Sequence, residues 1–215
     1  MPTLFCLVLA MLRRIGIELA RHAPFTAAGA LSGIVIMTIL IFTNVLPHVS
    51  EVIFYVLHPA HVLFSAIVTT AMYRRYSTGK LWAAILVGYT GSVGTATLSD
   101  AIIPYLGGEA LRIGIEFHLP FIEEWWLVNP AAFLGIFIGY LQPSTKLPHA
   151  AHIFLSTWAS LFYFTAFSVA NWLPLLPFIF LFLFLAVWLP CCFSDIVYAH
   201  FFLGGDQHNH DETDH

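Results

Sequence analysis

Apolar residues run through this chain in blocks of twenty or so, separated by short polar punctuation. A helix needs about 20 apolar residues to cross the hydrocarbon of a bilayer. Six blocks qualify. The first covers 26–46 and stops at Pro47. The second covers 52–73 and stops at Arg74 and Arg75. The third covers 81–103 and stops at Pro104. The fourth, fifth and sixth cover 128–142, 147–170 and 173–202, the last with Pro174, Pro177 and Pro190 as sites for kinks. The pattern predicts an all-α integral membrane protein with six transmembrane helices.

Two segments have a different texture. Residues 3–22 read as an amphipathic helix lying on the membrane, ending in Arg13, Arg14, Arg21 and His22. A signal peptide would carry its positive charge before the apolar core, not after it. Residues 104–127 mix Glu109, Arg112, Glu116, His118, Glu123 and Glu124 with Trp125 and Trp126, which suits an interfacial helix at headgroup level. The expected organisation is an interfacial helix at 1–25, a three-helix unit at 26–103, an outer interfacial segment at 104–127, a second three-helix unit at 128–203 and a polar tail at 204–215.

Composition agrees with the pattern. Hydrophobic residues make up 59% of the 215 and charged residues 9%, against about 25% charged in soluble domains. The mean hydropathy is +0.83. A net charge of -4 without a basic patch argues against nucleic acid. Cationic residues set the orientation. With the N-terminus cytoplasmic, Arg13, Arg14, Arg21, Arg74, Arg75, Lys80 and Lys146 all face inward and only Arg112 faces outward. Both termini are then cytoplasmic in a multi-pass protein of the cell membrane. Cys6, Cys191 and Cys192 make no disulfide framework, and the adjacent pair reads first as two small packing residues.

The chain also repeats itself. His58-Pro-Ala-His61-Val-Leu-Phe-Ser65 and His149-Ala-Ala-His152-Ile-Phe-Leu-Ser156 share the form H-x-A-H-x-x-x-S, and a further hydroxyl follows each, Thr69 and Ser160. Offsets of 0, 3, 7 and 11 line one helix stripe. Ser99-Asp100 follows the first copy and Ser194-Asp195 the second. A weaker match pairs Gly33-Ile-Val-Ile with Gly135-Ile-Phe-Ile. A competing register would set Leu46-Pro47-His48 against Leu147-Pro148-His149. Each unit holds three spans, an odd number, so the second enters the membrane in the opposite sense. That is an inverted repeat, as in many secondary transporters. The expected layout puts His58, His61 and Asp100 toward the outer side and His149, His152, Asp195 and His200 toward the inner side.

Imidazole and carboxylate together are ligands for Zn, Mn, Fe, Co or Ni. The expected ligands of such a divalent transition metal are His58, His61, Asp100, His149, His152 and Asp195. Ser65, Thr69, Ser99, Ser156, Ser160, Ser194 and His200 would support them or line a pathway. The bland reading of each histidine is an interhelical hydrogen bond. It is the duplication that favours a site. The tail, with His208, His210 and His215 among acidic residues, suits loose metal gathering. Gly88, Gly91 and Gly94 read as close helix packing.

These features lead to a proton-coupled transporter of a divalent transition-metal cation, since ligand deprotonation couples metal to protons. The alternative is an intramembrane zinc-dependent hydrolase acting on a lipid amide or ester, which requires the histidines to converge on one site. A third is a protein without metal whose His and Asp only pair. The partners expected are the bilayer, the metal ion and, from size alone, a second copy in a homodimer.

Overall fold

The computed structural model describes residues 4–42, 48–76, 80–142, 146–168 and 173–192. The fold is all-helical, with no strand among the described residues. In chain order come α1 (Leu4–Phe42), α2 (His48–Tyr76), α3 (Leu81–Thr97), a π-helical turn (Leu98–Ile102), α4 (Ile103–Ala110), α5 (Pro120–Glu123), α6 (Trp125–Leu141), α7 (Lys146–Phe167), a 3₁₀ turn (Leu173–Leu175) and α8 (Leu176–Cys192). Among the described residues, two stretches, Val49–Arg75 and Leu81–Ala110, are long and apolar enough to cross a membrane.

Helix α2 is the hub, packing on α3, α6 and α7. Helices α2 and α7 run antiparallel. Phe54 near the start of α2 meets Tyr163 and Phe167 near the end of α7, and His61 meets His152 near its start. Small residues set the other close contacts. Gly135 and Gly139 bring α6 against the backbone carbonyls of Leu63 and Ile67 on α2, and Gly29 and Gly33 bring α1 against Thr157, Trp158 and Leu161 on α7. Both glycine pairs have the G-x-x-x-G spacing that lets helix backbones approach.

The polarity is inside-out. Phe42 is 79% exposed, Val56 64%, Trp82 63% and Phe137 62%. Meanwhile His61, Ser65, Thr69, Ser99, Asp100, His152, Ser156 and Ser160 are wholly buried.

Helix α1 runs unbroken through Pro24 for 39 residues, across the expected limit between the interfacial helix and the first span. Ala20, Ala23, Ala27, Ala28 and Ala30 surround that proline, and alanine is the strongest helix former. Pro104 does not end the third span. The π-helical turn just before it restarts the ladder, so Pro104 falls in the first turn of α4, where its missing N–H is not needed. Helix therefore reaches Ala110, and the expected interfacial helix over 104–127 is instead a non-helical stretch at 111–119 followed by the single turn of α5.

Candidate functional site: a buried His–Asp–Ser centre

Asp100 sits in the π-helical turn and is wholly buried. Its Oδ2 accepts from His61 Nδ1 at 2.7 Å and from His58 Nδ1 at 2.9 Å. Its Oδ1 accepts from Ser99 Oγ at 2.6 Å and from Ser156 Oγ at 3.0 Å. Four donors fill the roughly four lone-pair positions of a carboxylate. Ser156 Oγ also lies 3.1 Å from Ser99 Oγ. The hydroxyl of Ser160 sits between the backbone carbonyls of Ser99, 2.8 Å away, and Ser156, 2.7 Å away. His152 completes the group, its ring centre 5.4 Å from that of His61.

Helix geometry explains the convergence. His58 and His61 lie three residues apart on α2, one turn along a single face. His152, Ser156 and Ser160 are spaced by four on α7 and point back across the antiparallel pair. The π-helical turn adds a residue to its ring of hydrogen bonds, which redirects Ser99 and Asp100 inward. Such turns recur at functional sites. Nothing in the sequence signalled it.

The carboxylate also fixes the imidazoles electronically. An acceptor-only oxygen demands an N–H at each Nδ1, so in neutral rings the lone pairs reside on Nε2. Nε2 of His58 and of His61 is buried with no hydrogen-bond partner among the described residues. Each such atom costs about 1–3 kcal/mol. A hydrogen-bond donor or a Lewis acid at Nε2 would remove that cost. In this arrangement Asp100 has no lone pair left for direct ligation, and among the described residues no group of three or more His, Cys, Asp or Glu is arranged to hold a metal ion.

Among the described residues, His58 and His61 from one copy of the motif and Ser156 from the other bind the one carboxylate, with His152 and Ser160 beside them. Ser65 and Thr69 continue the α2 stripe as buried hydroxyls without a partner among the described residues. The side chain of His149 and residues Ser194, Asp195, His200, His208, His210 and His215 lie outside the described residues, as do the side chains of the three cysteines. Of the glycines in α3, Gly88 packs against Thr70 and Ile136, while Gly94 faces open space.

No family model, curated protein or solved structure matches the chain.

Proposed function

We propose that the chain is a six-span membrane transporter built as an inverted repeat, which moves a divalent transition-metal cation in exchange for protons through the His58–His61–Asp100–His152 centre. The observation that carries this reading is the contact of His61 with His152. They hold the same place in the repeated motif and meet across antiparallel helices, as a two-fold axis between α2 and α7 requires.

The wider packing supports the same axis. It exchanges α1 with α6, α2 with α7 and α3 with α8. Under that exchange α2 on α6 becomes α7 on α1, α2 on α3 becomes α7 on α8, and α3 on α6 becomes α8 on α1. All six contacts occur. Inverted-repeat transporters place their sites at such an interface, near the bilayer midplane. The apolar exterior on α1, α2, α3, α6 and α8 suits lipid, and ionisable groups within a span mark transport paths by default. The ends differ in charge as orientation requires: Arg74 lies over Tyr140, 4.1 Å from its ring centre, at one end, and Glu51, Glu123 and Glu124 gather at the other.

Protons and metal compete for the same nitrogens. With Asp100 as anchor, the Nε2 atoms of His58 and His61, joined by His152, would hold the cation, and lowering the pH would displace it. Equilibrium metal binding to the purified chain in lipid tests this. Zn, Mn, Fe, Co or Ni should bind and release protons, and His58→Ala and His152→Ala should each lose at least about ten-fold in affinity, the loss that disturbing a metal's immediate surroundings brings. Binding unchanged in both variants would refute it.

One observation favours a second reading. Three histidines, a carboxylate and two hydroxyls converge on one centre, which a zinc-dependent lipid amide or ester hydrolase also needs. Release of fatty acid from bilayer lipids by the metal-loaded protein would select it.

A further inference from the structure

A second titratable group lies beyond the buried centre. His118 is 7% exposed, and each of its ring nitrogens faces a carboxylate. Nδ1 is 2.9 Å from Glu123 Oε2 and Nε2 is 2.9 Å from Glu124 Oε2. The ring stacks on Phe167 with centres 4.5 Å apart. The backbone holds the loop in the same place: His118 N–H donates to Tyr163 Oη at 2.9 Å, and Leu119 N–H to Glu123 Oε1 at 2.9 Å.

A neutral imidazole has one N–H and one lone pair. It cannot donate to two carboxylates. The triad therefore keeps one proton more than a neutral ring between two ionised carboxylates, either as imidazolium or on a carboxyl. Among the described residues, carboxylates and phenols face it. From α2 comes Tyr55, whose hydroxyl donates to Glu51 at 3.1 Å. From α7 comes Tyr163, whose hydroxyl points to the carbonyl of Glu116 at 3.2 Å. The loop itself supplies Glu123 and Glu124. Burial pushes the Glu124 carboxyl up, with His118 opposing.

Beneath the triad lies Phe54, wholly buried. Its ring stacks on His58 with centres 5.6 Å apart, and His118 meets the same ring edge-on at 6.2 Å. The loop thus covers Phe54, and Phe54 covers His58.

We propose that His118, Glu123 and Glu124 are a proton-binding latch that holds the 111–124 segment closed over the His58 end of the bundle, and that loss of its proton releases the segment. The latch stands on its own geometry. Its consequence, access of solvent and cation to His58, rests on the function proposed above.

Hydrogen exchange on the full chain in lipid nanodiscs tests the latch between about pH 5 and 8, where imidazoles change charge. After correction for intrinsic rates, amides at 113–124 should exchange about ten-fold faster at the alkaline end, the effect of losing one charge-assisted hydrogen bond. Amides at 130–141 should not change. His118→Gln should abolish the response. Glu123→Gln, at a half-exposed position that tolerates the change, should shift its midpoint downward by removing one anion. His58→Ala should leave the response intact, so failure of the transport reading does not touch this one. Flat corrected rates at 113–124 in the unaltered chain, or a pH response that survives His118→Gln, would overturn the proposal.

Discussion

His61 and His152 face each other across the α2–α7 interface with ring centres 5.4 Å apart, each from the second histidine of its H-x-A-H-x-x-x-S segment. The pair is bound to the rest of the site through Asp100, 2.7 Å from His61. A sequence duplication and a contact in space thus coincide at one point.

Asp100 should dominate the stability of the bundle interior. It terminates four hydrogen bonds from three helical segments, and Asp100→Asn turns one oxygen into a donor group aimed at other donors. Breaking a buried charged network from one side costs about 3–5 kcal/mol. Ser99→Ala, which removes one of the four donors, should cost only about 1 kcal/mol. Reversible unfolding in mixed micelles measures both. Equal losses for the two would mean that the carboxylate is not the hub.

The glycines give a steric ranking. A methyl group on Gly135 would run into the Leu63 carbonyl and Ala66, and backbone cannot step aside. On Gly33 it would meet the side chains of Leu161, at 2.9 Å, and Trp158, at 3.2 Å, which can turn. Gly16 has nothing within 4 Å. Gly135→Ala should cost about 2–3 kcal/mol as overpacking, Gly33→Ala less, and Gly16→Ala should be neutral or stabilising by up to about 1 kcal/mol through helix propensity. Thermal unfolding of the three variants checks the order.

Much of this was legible in the sequence, and the gaps have physical causes. Apolar blocks located α2, α6 and α7 to within a few residues, because hydrophobic runs and charged or proline ends are local signals. The histidine stripes were visible as helical spacing. That His152 would lie beside His61 rather than in a cluster of its own was not visible, since it depends on how two helices cross. The π-helical turn at Leu98–Ile102 left no mark either. It carries helix past Pro104, against expectation, and it sets Asp100 beside the ring Nδ1 atoms. The 39-residue α1 shows the limit of such signals, since the cluster of Arg13, Arg14 and Arg21 does not interrupt the helix.

The Glu124 carboxyl yields a pH dependence. Burial raises it above the ordinary carboxyl range, with His118 opposing. The folded protein therefore keeps this proton at pH values where the unfolded chain has released it. Stability from this group is whole below about pH 4, the ordinary range for Glu, and declines as pH rises through the elevated value. Glu124→Gln cannot ionise, so its unfolding midpoint should fall less than that of the unaltered chain as pH rises from about 4 to 8. A steeper fall in the variant would contradict this sign.

The most direct test of the central claim is metal flux. The purified chain is reconstituted into liposomes holding a pH-sensitive dye, and a metal-sensitive dye is loaded in a parallel set. Added Zn, Mn, Fe, Co or Ni should enter, and protons should leave as it does. Asp100→Asn, His61→Ala and His152→Ala should each abolish both signals while the protein stays inserted. No flux of any of these ions through a folded, inserted chain, or flux that survives all three substitutions, would contradict a transport centre built on His61, Asp100 and His152.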